Sequence, residues 1–155
     1  MKAYILSEQE ATATGFSHKF YVPYTDFTGF AATSGAVVLG AYTAGTLIDK
    51  AAFRVSEQWN APSTTMTNLT LDVGHNGATT DDDDSLINGI EIHEDATEVL
   101  YGDGNGAAFA ANRTGYAAAD AGNLEITLTA TGANLSTLTS GAIHIYVRMV
   151  DLTKF

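Results

Sequence analysis

Four consecutive aspartates, Asp81 to Asp84, form the densest run of chemistry-bearing side chains in this sequence. Hard cations such as calcium are held by several carboxylate and carbonyl oxygens, and Asn88 and Glu91 lie near enough in the chain to complete such a shell. The spacing departs from an EF-hand loop. No starting Asp is followed by Asp or Asn at the third and fifth positions and then by Gly. The plainer reading is a solvated acidic loop, because four like charges in a row repel one another in a packed element. No metal is assigned to it.

The histidines, His18, His75, His93 and His144, show no zinc spacing. His75 and His93 flank the aspartates, and if they approached them their pKa values would rise. Gly102-Asp103-Gly104-Asn105-Gly106 invites a phosphate-loop reading, but no Lys-Ser/Thr follows it and Asp103 would repel a phosphate. There is no Gly-x-Ser-x-Gly elbow, and a glycosidase carboxylate pair could be drawn from many combinations. Neither a catalytic residue nor a cofactor is assigned. Asn68, Asn112 and Asn134 begin Asn-x-Ser/Thr sequons. Tyr21, Tyr24, Phe27, Phe30 and Trp59 could build a sugar platform if exposed; core packing is the simpler expectation.

The elements that must carry these residues read as strands. Phe20 and Val22 alternate with Tyr21 and Pro23, and Pro23 cannot donate to a ladder, so it marks an edge or an end. Tyr24 to Gly29 reads as a turn, and Ala36 to Leu39 as a short buried strand. Phe53, Val55, Glu57 and Trp59 share one strand face; Glu57 interrupts it, which predicts Trp59 at a rim. Leu69, Leu71 and Val73 form another apolar face, followed by a turn signal at His75-Asn76-Gly77. Asn88-Gly89 marks a hairpin or a bulge. Leu124, Ile126 and Leu128, then Ile143, Ile145, Val147 and Met149, give two half-buried antiparallel strands. Glu8 to Thr14 reads as a linker, Glu94 to Leu100 as helical turn or strand, Gly102 to Gly106 as irregular, and Ala107 to Ala121 as a possible short helix. The expected fold class is all-β: an antiparallel β-sandwich, jelly-roll-like, with about eight strands and long polar loops. Residues 1–15 form an N-terminal arm or strand and residues 16–155 one sandwich domain.

Composition narrows the function. The 155 residues include no cysteine, so disulfides and cysteine-ligated zinc are excluded. The opening apolar run is too short for a signal-peptide core, and no stretch suggests a membrane span. There are 18 acidic and 7 basic residues, for a net charge of −11, and no Lys or Arg lies between Arg54 and Arg113. Such a surface repels phosphate backbones and anionic lipid, so neither nucleic acid nor membrane is an expected partner.

Several segments together resemble the head decoration (cement, or auxiliary capsid) proteins of tailed bacteriophages, which are β-sandwich or jelly-roll modules. They are Tyr24-Thr25-Asp26-Phe27-Thr28, Arg54-Val55-Ser56-Glu57-Gln58-Trp59-Asn60, and Leu69-Thr70-Leu71-Asp72-Val73-Gly74 with its Asp-rich sequel. Leu138-Thr139-Ser140-Gly141 leading into Tyr146-Val147-Arg148-Met149-Val150-Asp151 closes the likeness. It runs from about His18 onward; the first fifteen residues and the Ala-rich stretch from Ala107 stand outside it. The resemblance implies a non-enzymatic virion protein that is made in the host cytoplasm and binds the major capsid protein on the outer capsid surface, commonly as a trimer. The charge points the same way, since the inner face of a shell confronts packaged DNA. Met1, Tyr4, Ile5 and Leu6 are the candidate interface, as an arm reaching a neighbour or the shell. The alternative is a calcium-dependent carbohydrate-binding sandwich, such as a tail or fibre domain. A small hydrolase on the same kind of scaffold is a third reading.

Overall fold

The computed structural model describes residues 1–61, 65–78, 81–93, 101–103 and 116–155. They form two antiparallel sheets with their apolar faces packed together, so the expected all-β sandwich is the observed one. The strands are β1 (Lys2–Ile5), β2 (His18–Pro23), β3 (Ser34–Tyr42), β4 (Thr46–Asn60) and β5 (Asn68–Gly77). They continue as β6 (Asp81–Glu91), β7 (Tyr101–Asp103), β8 (Tyr116–Ala117), β9 (Gly122–Thr131) and β10 (Ser140–Asp151). One sheet runs β1-β2-β10-β4-β7, with β8 also along β4; the other runs β3-β9-β5-β6. The core is what period-two alternation predicts. Phe20 and Val22, Leu69, Leu71 and Val73, Leu124, Ile126 and Leu128, and Ile143, Ile145 and Val147 all point between the sheets and are buried. Each such side chain contributes about 1.5–3 kcal/mol by leaving water.

The departures from expectation have local causes. Glu8–Thr14 is a helix, α1. Its start is a capping box: the Ser7 hydroxyl accepts the Glu10 N–H, and the Glu10 carboxylate accepts the Ser7 N–H at 3.0 Å. β3 is not a buried strand. It sits at an edge of its sheet, and Val38 on its outer side is 44% exposed. His75-Asn76-Gly77 is not a turn but the end of β5, paired with β6 and β9. Gly102 and Asp103 belong to β7, not to an irregular loop, and Tyr116–Ala117 is a strand. The segments 94–100 and 104–115 lie outside the described residues, and with them most of the possible helix at Ala107 to Ala121.

Trp59 is not at a rim; it is fully buried. Two β-bulges explain this. Val55 pairs with Ile143 and Glu57 with Ala142, so β4 runs two residues against one of β10. From Glu57 to Asn60, β4 runs three residues against two, Ala142 to Ser140. Each extra residue turns the strand's faces over once. Glu57 is thereby turned out to solvent, and Trp59 is returned to the core. There the indole meets Phe27 edge-on, with ring centroids 6.1 Å apart, and Phe30 lies beyond Phe27. Gly141 covers its other side. A Cβ on Gly141 would lie 2.4 Å from Trp59 Cδ2, and its φ of +131° is one that side chains rarely adopt. Gly141→Ala is therefore expected to cost about 2–5 kcal/mol of stability, from backbone strain and overpacking together. Denaturant unfolding followed by the fluorescence of Trp59, the single tryptophan, measures it.

Candidate functional site

The aspartates lie in β6 and not in a loop. A strand accommodates them because successive side chains leave on opposite faces. Asp81 and Asp83 are exposed; Asp82 and Asp84 are half-buried. The strand is deformed as it carries them. His75 pairs with Asp82 and Val73 with Ile87, so five residues of β6 span two of β5. The bulge crosses directly over Gly74, where a Cβ would stand 2.0 Å from the Asp82 carbonyl oxygen. Only a residue without a side chain lets the two backbones approach this closely. A second bulge follows at Asn88-Gly89, where the Gly89 N–H donates to Asp72 Oδ1 at 2.6 Å.

Carboxylate oxygens of Asp82, Asp83 and Asp84 gather within 4.8 Å of one another. Asn88 reaches the group, its amide donating to Asp84 Oδ2. Glu91 does not: its Oε1 accepts the Leu69 N–H at 3.0 Å and the His93 N–H at 3.1 Å, which ties it to the strand ends. The crowding shifts the acidity of two of the carboxyls. Asp84 is pushed above the usual carboxylate range, first by a hydrogen bond with Asp82, then by burial and by the Asp82 charge. Asp72 is raised by burial, against the Gly89 N–H, with Asp83 and Asp84 adding to the rise. Asp81 and Asp83 also face a shallow depression of about 350 Å³ lined by Ser34, Asn76, Glu125 and Thr127.

Of the four histidines, strand register places His75 beside this group. His18 is on β2, His75 on β5, His93 beyond the end of β6 beside Trp59, and His144 on β10. His75 is buried opposite Asp82, yet its pKa falls where sequence reasoning expects a rise. Burial is the largest effect; Asp82, Asp81 and Asp120 pull the other way without overcoming it. A sugar platform is not assembled, since Phe27 and Trp59 are in the core with Phe30 packed against it.

A larger cleft, about 580 Å³, opens at one end of the sandwich between His18, Tyr42, Thr46, Met149, Asp151 and Phe155. Ser17 Oγ lies 2.7 Å from His18 Nδ1, an arrangement resembling a nucleophile beside a base. Its wider contacts are structural. Ser17 Oγ accepts the Met149 N–H at 2.8 Å, which stitches the start of β2 to β10. Asp151, the carboxylate of the cleft, accepts from Thr153 and pairs with Lys154. Burial holds the His18 pKa down. Sequence reasoning missed this contact, because neighbours in a chain do not announce that their side chains meet.

The four candidate interface residues lie in and beside β1, at the edge of the six-stranded sheet. Tyr4 is 48% and Ile5 82% exposed. β1 is paired along its length with β2, and the Met1 ammonium pairs with the Asp26 carboxylate. Of the sequons, Asn68 opens β5 and Asn134 precedes the short helical turn Leu135–Thr137; Asn112 lies outside the described residues. No helix among the described residues is long and apolar enough to cross a membrane.

No family model matches the chain, and no curated protein matches it. Two solved structures do. A chain from "Cyanophage Pam1 capsid asymmetric unit" superposes with a TM-score of 0.53 at 15% identity, over 84% of this chain and 79% of that one. A chain from "Acidic stable capsid structure of Helicobacter pylori bacteriophage KHP30" gives 0.42 at 15% identity, over 85% and 90%. The Pam1 likeness establishes a shared fold, and the KHP30 superposition adds nothing to it.

The buried histidine predicts a pH dependence. Burial makes His75 take up its proton at lower pH in the fold than in the unfolded chain, which does so near the ordinary histidine value. Its contribution is thus complete above that value and is lost as pH falls below it. The melting temperature is expected to drop between about pH 7.5 and 5.5. His75→Gln should flatten that drop, and the His75 ring should titrate below its usual range by NMR. His18 and His144, also held low by burial, supply the remaining slope. Asp72 and Asp84 act in the opposite sense at more acidic pH, because a raised carboxylate favours the fold as it takes up its proton.

Proposed function

We propose that this chain is a non-enzymatic structural protein of a bacteriophage virion, a jelly roll that decorates the outer surface of the capsid. The observation that carries the reading is the strand order. β2-β10-β4-β7 facing β3-β9-β5-β6 is the arrangement two interleaved Greek keys produce, and jelly rolls of this kind build viral shells among other proteins. The likeness to a chain of the Pam1 capsid supports the same reading at the level of fold. The charge of −11 favours the outside of the shell, away from packaged DNA. The partner is the major capsid protein, and the protein acts as a trimer, with Met1, Tyr4, Ile5 and Leu6 at the contact. The acidic bulge is a surface feature here, with no metal required.

Two measurements test this. Light scattering should give about 49 kDa, three times the 16.3 kDa of the chain, and chelator should leave the melting temperature unchanged. Purified protein should co-sediment with phage shells lacking it, and deletion of residues 1–6 should abolish that while leaving Trp59 fluorescence native, since β1 is exposed throughout. Failure of the intact protein to bind shells refutes decoration. Unchanged binding after the deletion removes the N-terminal contact alone.

A further inference from the structure

The charges of this protein are segregated between its two sheets. β3, β9, β5 and β6 contain no Lys or Arg, and they carry Asp72, Asp81 to Asp84, Glu91 and Glu125. β1, β2, β4 and β10 carry five of the seven basic residues, Lys2, Lys19, Lys50, Arg54 and Arg148. The registers place these five on the outer face. Lys2, Tyr21, His144 and Arg54 stand opposite one another across four adjacent strands. In the next row stand Tyr4, Lys19 and Tyr146, and beyond them Arg148 is opposite Lys50. The residues between them on β2 and β10, Phe20, Ile143, Ile145 and Val147, are buried, which fixes the direction of the rows.

Aromatic rings are interleaved with the cations. Tyr21 meets His144 edge-on at 5.3 Å, His144 stacks with Tyr146 at 6.2 Å, and Phe16 packs against Tyr146 at 5.7 Å. Lys19 Nζ sits 5.7 Å from the Tyr146 ring and Lys50 Nζ 4.3 Å from that of Phe16. Lys50 also donates to the Thr14 carbonyl at the end of α1, and Arg148 pairs with Asp49 at 3.4 Å. The side chains are therefore held in place before any partner arrives, which lowers the entropy cost of docking. Tyr and Arg at the centre of a sheet face are the residue types that dominate binding energy at protein interfaces. Asp49 lies within the patch, paired with Arg148, and Glu8 and Glu10 on α1 and Glu57 on β4 border it.

Resting on the decoration reading above, we propose that the outer face of the six-stranded sheet is the surface that docks, and that its occupant is an acidic surface of a shell protein. Charge complementarity selects the partner: a cationic face on a molecule of net charge −11 is the one side that can meet an anionic protein surface closely. DNA is disfavoured by the same net charge. Tyr21, His144, Tyr146 and Phe16 are also engaged edge and face with one another rather than held apart for bases to stack between.

The test is co-sedimentation with shells lacking this protein. The double variant Lys19→Glu/Arg54→Glu should weaken binding at least about tenfold. Val38→Glu, on the exposed side of the other sheet, should bind like the unaltered protein. Raising salt from about 50 to about 500 mM should weaken the unaltered protein and affect the double variant little. Native Trp59 fluorescence certifies folding; if the double variant fails to fold, Lys19→Gln/Arg54→Gln reads the same loss at smaller size. A folded double variant that binds normally overturns this face and leaves decoration standing. Shells that never bind the unaltered protein overturn both. Two other results overturn the occupant: a DNA duplex bound in a Lys19- and Arg54-dependent way, or self-association that the double variant abolishes, which would make the partner a second copy.

Discussion

The pairing of β4 with β10 is the interaction on which the rest of the structure depends. These are the two longest strands, and they are neighbours within the six-stranded sheet. Their register is interrupted near Gly141-Ala142 and again at Arg148 to Met149. Without the two bulges near Ala142, the five residues from Val55 to Trp59 would follow simple alternation, and Glu57 would face the core together with Val55 and Trp59. With them, one charged residue is turned to water and the largest side chain in the chain is buried. Gly141 makes room for that indole, so a backbone conformation on β10 and a side chain on β4 require each other.

The same logic of backbone deformation governs the acidic strand. A regular strand would place Asp82 and Asp84 together on one face, in contact with a single row of β5. The bulge over Gly74 instead sets five residues of β6 against two of β5 and gathers the carboxylates of Asp82, Asp83 and Asp84 at the sheet edge, with partial access to water. The crowding shows in Asp84 and Asp72, both of whose carboxyls are raised above their usual range. Among the described strands, every Lys and Arg lies on one sheet, which also carries Asp49, Glu57 and Asp151, while the charged residues of the other sheet are all acidic. Both outer faces are built on the same apolar core, and neither face disturbs it because alternation separates inner from outer residues.

The edge strands show how the sandwich ends. β1 covers the edge of β2 and carries Tyr4 and Ile5 exposed, while β3 exposes Val38 at the edge of the second sheet. An unpaired edge is a template for further pairing. β1 also sets Lys2 and Tyr4 beside the cations of β2, β4 and β10.

Alternation in residues 69–73, 124–128 and 143–149 was enough to determine two-sided strands, an all-β class and most of the core, because burial on one face of a sheet writes a period of two directly into the chain. The start of α1 was equally legible in Ser7 and Glu10, a capping box that a reading for linkers passes over. Other features lay beyond any local pattern. Glu57 was turned outward, and Trp59 kept on the core face, by bulges counted against β10, a strand about eighty residues away. His75 was made harder to protonate by the packing around it, although the aspartates nearby in the sequence argue for the reverse. The collection of five cations and four aromatic rings on one face came from registers joining β1, β2, β4 and β10. Net charge, summed along the chain, concealed it. Local sequence reports which way a side chain can point; what it then meets is decided by strand pairing, which joins residues far apart in the chain.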